Sequence, residues 1–342
     1  MLRAMTANLP KPTARFVAGM LGRVPPAETH ATCASCALCE GGGDGRRPRG
    51  RTALSPDVKC CSDLPVLPNF LVGGILADGT DDGRATLRAR LARERHTPLG
   101  LGDAPGAPAP LGPDRPACPH LLDGRCTIHA FRNAGCTTFF CKHERGAAGR
   151  RAWVSLTAVL RAIESRLALW CCMELGVPEV TLQHLVALGG SVPGLAADGS
   201  VTADRLWSGI ADREAFYVAC HERVSALSWD EVATLAGPEV RALGRVARAA
   251  WDALDAPLPQ ALRPGMHTVV AVGEDGVLAE TYSSMDPIGL PSLLLAVLHH
   301  FDGRPTATVL EQLAREQGVA LDEAFLRELV DFDVLSGVAG PT

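Results

Sequence analysis

The cysteines of this 342-residue chain are distributed very unevenly, and this constrains its fold more than any other feature. Nine of the twelve fall between Cys33 and Cys141, and the rest of the chain holds three. Within that segment they stand among Gly, Pro, Arg and Asp without helical or strand periodicity, whereas a buried structural cysteine needs apolar neighbours. We therefore expect the segment to depend on something other than an ordinary apolar core.

We recognise neither a signal peptide nor a membrane helix in the sequence, and we therefore expect the cysteines to be reduced. The basic N-terminus has its best apolar run at residues 16–21, which is too short and too late for a secretory signal peptide. No window reaches the roughly 18 to 20 apolar residues of a membrane helix. We expect a cytoplasmic protein without membrane association, whose dense, reduced cysteines favour thiolate metal ligands over a disulfide framework.

The cysteines form two groups with the spacing of metal ligands. The first is Cys-x2-Cys-x2-Cys, followed about twenty residues later by an adjacent pair, and the second is spread along residues 118–141 with histidines interspersed. The predicted metal ligands are Cys33, Cys36, Cys39, Cys60, Cys61, Cys118, Cys126, Cys136 and Cys141, with His129 and His143 as further candidates.

The spacing leaves two metals open. Structural zinc takes two thiolates from each of two knuckles, which paired Cys-x2-Cys motifs allow. Three thiolates at Cys-x2-Cys-x2-Cys match the loop that holds three corners of a cubane, and Cys118 is followed by Pro119, as the remote cysteine of ferredoxins is by proline. The pattern favours an iron–sulfur cluster over zinc. Because the cysteine-rich region has little apolar surface of its own, we expect metal binding to supply part of its folding free energy.

The downstream group, CPHLLDGRCTIHAFRNAGCTTFFC, resembles the YkgJ-type CxxCxxCC family of zinc- or iron-chelating domains. The resemblance covers residues 33–143. Two features depart from it: a Gly/Arg-rich insertion separates Cys39 from Cys60, and Asn133 stands where the family usually has proline. The resemblance extends to flagellin lysine methylases, which look similar around the Cys-Pro-x-Leu motif and are associated with an iron–sulfur cluster.

The chain is predicted to be mainly α. An irregular cysteine-rich region at 33–145 follows a basic leader at 1–32 and packs on a helical domain at 151–256. An apolar stripe from Trp153 to Trp170 predicts a helix that ends at Gly176, and further helices are expected at 84–96, 181–188, 203–227 and 238–254. Residues 70–76 are an apolar segment broken by two glycines, and 97–117 is predicted to be a linker that forms neither helix nor strand.

The tail at 266–338 is predicted to be a small α+β module. A hairpin with its turn at 274–276 precedes helices at 290–301, 307–317 and 322–335, the last with Asp322 as N-cap. This order resembles a PqqD-like or winged-helix module of the kind that recognises peptides, which implies a protein or peptide partner. The acidic last helix and the net charge of −5 argue against nucleic acid.

The sequence thus predicts an iron–sulfur or zinc protein that supports redox chemistry or the modification of a protein or peptide partner. One alternative is a metal-dependent protein-modifying enzyme similar to a lysine methylase, and another is a non-catalytic, zinc-stabilised interaction module. No catalytic residue is identified. Cys171, Cys172 and Cys220 lie in helical segments and are expected to pack in the core.

Overall fold

A computed structural model describes residues 9–31, 58, 60–62, 64–94, 96–102, 116–187 and 203–338. It is 55% helix and 12% strand, so the prediction of a mainly α protein is confirmed. No helix within these residues combines the length and the apolar character needed to span a membrane. The chain divides into two compact units, which are described separately.

The first unit comprises the described residues within Met1–Ala27, Leu54–Phe139 and Ser155–Arg248. Its helices, of which the fifth and tenth extend into the second unit, are α1 Lys11–Leu21, α2 Asn69–Asp78, α3 Asp81–Arg93, α4 Ala134–Thr138, α5 Gly146–Glu174, α6 Glu179–Ala187, α7 Ala203–Leu206, α8 Arg213–Ala226, α9 Trp229–Leu235 and α10 Gly237–Asp252. Its short strands are β1 Leu67–Pro68, β2 His96–Thr97, β3 Gly100–Leu101, β4 Leu121–Leu122 and β5 Arg125–Cys126.

Two helices in the centre of this unit, α2 and α8, pack with their backbones close together. A Cβ atom on Gly73 would lie 1.8 Å from the carbonyl oxygen of Tyr217, and one on Gly74 would lie 2.6 Å from the Phe131 ring. Only glycine permits this approach. The two glycines therefore do not break the apolar segment but let a continuous helix pack tightly.

The predicted linker begins with ordered structure. Strand β3 pairs antiparallel with both β1 and β2, so residues up to Leu101 do form strands, contrary to the sequence prediction. The prediction was wrong here because the partner strand, β1, lies about thirty residues earlier in the chain, beyond the reach of local propensity.

The predicted helices agree with the structure where the apolar stripe is long. Helix α5 runs to Glu174, and Gly176 follows in a left-handed conformation with φ 72°. The single helix expected at 203–227 is instead two helices, α7 and α8. Asp212 N-caps the second of them by accepting a hydrogen bond from the N–H of Ala215 at 2.9 Å, which starts a new helix inside the predicted one.

The second unit comprises the described residues within Glu28–Ala53, Phe140–Val154 and Ala249–Thr342. Its remaining elements are β6 Leu262–Pro264, β7 Thr268–Val272, β8 Gly276–Glu280, β9 Ile288–Pro291, α11 Ser292–Leu298, α12 Thr306–Gln317, α13 Glu323–Asp331 and β10 Leu335–Gly337. Strands β7, β8 and β9 form an antiparallel sheet in that order, and β6 pairs antiparallel with β10.

The core of this unit lies between the sheet and its three helices, around the fully buried Phe301. The predicted hairpin is present as β7 and β8, and Asp322 caps α13 by accepting a hydrogen bond from the N–H of Phe325 at 2.7 Å. Trp153 packs edge-on against Trp251, with ring centroids 5.1 Å apart. The likeness of this module to winged-helix proteins stays a prediction.

Candidate metal centre

The chain after Cys118 folds as a short hairpin. Strand β4 pairs antiparallel with β5, and Leu121 lies opposite Cys126. The connecting Asp123 and Gly124 have φ of 48° and 71°, the conformation of a type I′ turn. Because Asp-Gly is the preferred sequence of that turn, this hairpin was detectable in the sequence but was not predicted.

Backbone N–H groups are directed at two of the cysteine sulfurs. The N–H of His120 hydrogen-bonds the sulfur of Cys118, and the N–H of Ile128 hydrogen-bonds the sulfur of Cys126, so each donor lies two residues after its cysteine. Burial raises the pKa of both thiols, and these hydrogen bonds oppose that effect by stabilising the thiolate. Such donors are a feature of sulfurs that act in the ionised form.

The third cysteine of this group is held by the cap of a short helix. Asn133 N-caps α4, and its Oδ1 accepts a hydrogen bond from the N–H of Cys136 at 2.8 Å. Its Nδ2 donates to the carbonyl oxygen of Val66 at 2.9 Å. Proline has neither group, so this departure from the family pattern has a structural role in this chain.

Four thiols lie near one another in the first unit. The N–H of Cys118 donates to the carbonyl oxygen of Cys61 at 2.7 Å, which joins the two cysteine groups. Burial, followed by the charges of Cys118, Cys126 and Cys61, raises the pKa of the Cys136 thiol, although this residue keeps an exposed face.

A guanidinium group lies beside these thiols. Arg132 interacts electrostatically with Cys126, Cys136 and Cys61, and it donates hydrogen bonds to the carbonyl oxygens of His129 at 3.2 Å and Cys136 at 3.3 Å. A cation held in this position offsets the negative charge of neighbouring thiolates. The cysteines and Arg132 together form what we call the thiol cluster: Cys61, Cys118, Cys126, Cys136 and Arg132.

A buried polar relay borders the thiol cluster. Arg90 is only 3% exposed, and its guanidinium binds both carboxylate oxygens of Glu94, at 2.8 and 2.7 Å. Its Nη1 lies 3.1 Å from Nε2 of His120, which is 1% exposed. Burial, and then the charge of Arg90, lowers the pKa of His120 to about 4, so the ring is neutral at pH 7. Nothing in the cysteine spacing pointed to Arg90.

The helical scaffold fixes the cysteine segment at several points. Thr80, the N-cap of α3, donates to the carbonyl oxygen of Thr127 at 3.1 Å. The N–H of Ala134 donates to Glu164 on α5 at 2.6 Å, and Thr138 hydrogen-bonds Thr157 on the same helix at 2.6 Å. These contacts tie the hairpin and α4 to α3 and α5.

The remaining predicted ligands differ in what the structure shows of them. Cys33, Cys36 and Cys39 lie outside the described residues. Cys60 is exposed, and Cys141 belongs to the second unit, where His143 is buried with its ring against Tyr282 at a centroid distance of 5.9 Å. His129 is exposed at the start of a 3-10 turn in the first unit.

The thiol cluster fits a thiolate-bound metal by the chemistry of its donors. Cysteine sulfurs are the donors of zinc and iron–sulfur centres, and the cluster contains four of them. Two of these sulfurs already receive N–H hydrogen bonds, and the cationic Arg132 acts on the cluster. In the part of the chain that the structure describes, no three Cys, His, Asp or Glu side chains are arranged to coordinate an ion. Binding of a metal at the thiol cluster would therefore require rotation of the cysteine side chains, ligands from residues outside that part, or both.

The other three described cysteines differ sharply in environment. Cys171, Cys172 and Cys220 are fully buried, and the thiol of Cys172 donates to the carbonyl oxygen of Pro98 at 3.2 Å. Core packing was predicted for these residues and is confirmed. All the described cysteines of the patterned segment, by contrast, retain accessible surface.

The second unit contains an open groove with charged walls. It has a volume of about 450 Å³ and runs beside α13, where Arg327 and Glu328 line it. Arg145 forms an ion pair with Asp331 and also donates to the carbonyl oxygen of Leu254 at 2.8 Å, which fixes one wall.

No family model, curated protein or solved structure matches this chain. The resemblance to the CxxCxxCC family therefore rests on the cysteine pattern, and the assignment of function rests on the chemistry of the thiol cluster.

Proposed function

We propose that this protein binds a metal centre through cysteine thiolates, an iron–sulfur cluster in preference to zinc. The centre supports redox chemistry or the modification of a protein or peptide partner. The observation that carries the proposal is the backbone hydrogen bond that joins Cys118 to Cys61, with Arg132 acting electrostatically on Cys61, Cys126 and Cys136. Backbone N–H groups also donate to the sulfurs of Cys118 and Cys126.

The arrangement favours a bound cation for an electrostatic reason. If these four thiols were ionised, their charges would repel one another, and Arg132 would offset only part of that charge. A metal ion replaces the thiol protons and removes the remaining repulsion, so its binding free energy also stabilises the hairpin and α4. When bound, an iron–sulfur cluster supplies electron transfer, whereas zinc supplies structural cross-linking.

The preference for iron rests on the upstream motif. Cys33, Cys36 and Cys39 have the Cys-x2-Cys-x2-Cys spacing of a cluster-binding loop, and Pro119 follows Cys118. Together with the four cysteines of the thiol cluster, these three residues exceed the number of ligands that one structural zinc site takes, which is four.

A partner role is proposed for the C-terminal module. Its groove beside α13 carries charges of both signs, with Arg327 and Glu328 side by side, which suits a polar peptide better than a phosphate backbone. The module lies on the same chain as the thiol cluster and would hold the partner for a reaction that the centre supports.

The experiment is purification of the full chain without oxygen, followed by analysis of iron, zinc and acid-labile sulfide. Iron and sulfide in equal amounts, together with broad visible absorption, are the expected result. Stoichiometric zinc in a colourless protein would replace the iron–sulfur assignment by the zinc alternative. A chain with no bound metal, which remains metal-free after anaerobic incubation with iron and sulfide or with zinc, would overturn the proposal.

A further inference from the structure

Strand β7 forms one edge of the three-stranded sheet of the second unit. Within the described residues it pairs with β8 alone, and no other group hydrogen-bonds to the backbone of Thr268–Val272. A strand that is paired on one side directs alternate N–H and C=O groups to its open side. Such an edge is a template for one more strand.

The side chains of β7 are mostly apolar, yet they are exposed. Val269 is 47% exposed and Val272 is 81% exposed, and Met266, just before the strand, is 91% exposed. The register with β8 shifts at Val270, which is partly buried, but the residues on either side of it are exposed on both faces of the sheet. Soluble proteins often protect an edge with charges or proline, and residues 266–273 contain no lysine, arginine, acidic residue or proline.

The two ends of β7 differ in charge. Glu274 and Asp275, in the turn that follows the strand, are exposed carboxylates. At the other end, Arg263 is exposed in β6 and His267 directly precedes the strand. Glu280 of β8 lies at this end too, but it is only partly exposed. A complementary strand is therefore uncharged in its middle, basic where it meets the turn and acidic where it meets Arg263.

A second copy of β7 has this character. When two copies pair antiparallel about a two-fold axis, the acidic turn of each lies at the Arg263 end of the other, whereas parallel pairing would bring the two acidic turns together. The cross-strand neighbours are then valine, alanine and threonine, which are compatible with strand pairing. The two three-stranded sheets become one sheet of six strands, which is an ordinary size.

We propose that β7 is a homodimerisation edge: two copies of this chain associate through antiparallel pairing of Thr268–Val272, with Glu274 and Asp275 of each copy facing Arg263 of the other. Strands of five residues bury less surface than a permanent dimer needs, so the association is reversible and depends on protein concentration. The inference goes beyond the proposed function and does not depend on the metal centre.

The test is sedimentation velocity of the full-length chain at protein concentrations from about 1 to 200 μM. Reductant is present throughout, because Cys60 and Cys136 are exposed and could form disulfides between copies. We expect the wild type to pass from monomer to dimer within this range.

Val272→Lys places a charge on the edge without removing a buried side chain. It should raise the dissociation constant of the dimer by at least about 10-fold. Val246→Lys is the matched control, because Val246 is 60% exposed on α10, outside the sheet, and this variant should match the wild type. A wild-type chain that stays monomeric up to the highest concentration would overturn the proposal. A dimer that Val272→Lys does not weaken would overturn it as well.

A charge exchange tests the antiparallel direction. Glu274→Arg places a cation beside Arg263 of the other copy and should raise the dissociation constant by about 10-fold. Adding Arg263→Glu should restore the association, because opposite charges again face each other. A double variant that associates no better than Glu274→Arg alone would contradict the proposed pairing.

Amide hydrogen exchange of the wild type decides the matter if Val272→Lys fails to fold by circular dichroism. Exchange of residues 268–272 should slow at least about fivefold between the lowest and the highest concentration, because pairing protects the N–H groups of the open edge. The same exchange rate at both concentrations would overturn the proposal.

Discussion

The side-chain oxygen of Asn133 accepts a hydrogen bond from the backbone N–H of Cys136 at 2.8 Å. The same side chain donates to the carbonyl oxygen of Val66, so one residue both starts α4 and ties it to the strand region. The cysteine is thus oriented by a helix cap rather than by the proline that the family pattern would place there.

Replacing this cap should destabilise the first unit. Asn133→Ala removes both hydrogen bonds and should lower the free energy of unfolding by about 2 kcal/mol, measured by urea denaturation. Asn133→Asp keeps the capping oxygen but lacks the amide donor to Val66, so it should cost less. Equal stability of the alanine variant and the wild type would show that the cap does not hold α4.

The contact between α2 and α8 gives a second prediction. Gly73→Ala places a methyl group where the Tyr217 carbonyl oxygen stands, 1.8 Å from it, so the helices must separate. The free energy of unfolding should fall by about 3 kcal/mol or more.

Gly244→Ala is the control for that substitution. It also lies in a helix, but its nearest neighbour is the flexible tip of Met20 at 3.4 Å. Its effect should be small, because the higher helix propensity of alanine, worth up to about 1 kcal/mol, offsets the slight crowding of Met20. Similar effects of the two variants would contradict the close packing of α2 on α8.

The carboxyl group of Glu164 predicts a pH dependence. Burial raises its pKa from 4.5 to about 8, although the N–H of Ala134 donates to it. Between these values the folded state keeps a proton that the unfolded state loses, so stability falls as the pH rises through this window. Below pH 4.5 the group is protonated in both states and the loss is absent.

Glu164→Gln tests this dependence, because the amide can still accept from Ala134 but does not titrate. Unfolding free energies measured at pH 5 and pH 8.5 should show a smaller decrease in the variant than in the wild type. Glu174→Gln, at an exposed position of the same helix, should leave the wild-type decrease unchanged. An identical pH dependence in Glu164→Gln and wild type would contradict the raised pKa.

Metal occupancy should depend on particular cysteines. Cys126→Ser and Cys136→Ser each remove a thiol of the cluster and should lower the bound metal per chain to less than half of the wild-type value, measured by elemental analysis after anaerobic purification. Cys220→Ala removes a fully buried thiol that is not a predicted ligand. It should reduce stability through a small cavity but leave metal content unchanged. Unchanged occupancy in both serine variants would contradict the ligand assignment.

Local signals predicted part of the fold well. The stripe along α5 and the cap at Asp322 depend on residues close in sequence, and the structure contains both. The continuity of α2 through Gly73 was not predictable in the same way, because its reason lies in α8, about 140 residues later in the chain. The pairing of β3 with β1 was missed for the same reason.

The candidate site shows the same division. The spacing of the cysteines predicts a set of ligands, but it does not indicate which of them lie close together. Cys61 joins Cys118 through a backbone hydrogen bond, although the two residues are 57 positions apart in the sequence. The relay from Glu94 through Arg90 to His120 carries no sequence signature, since each of these residues also occurs commonly on solvated surfaces.

The most direct test of the central claim is X-ray absorption at the metal edge of the anaerobically purified chain, which counts the atoms bound to the metal. The account predicts a first shell of four sulfurs, at about 2.3 Å if the metal is zinc, with an added metal–metal distance if it is an iron–sulfur cluster. A first shell dominated by nitrogen and oxygen would contradict the assignment of the thiol cluster as the metal centre.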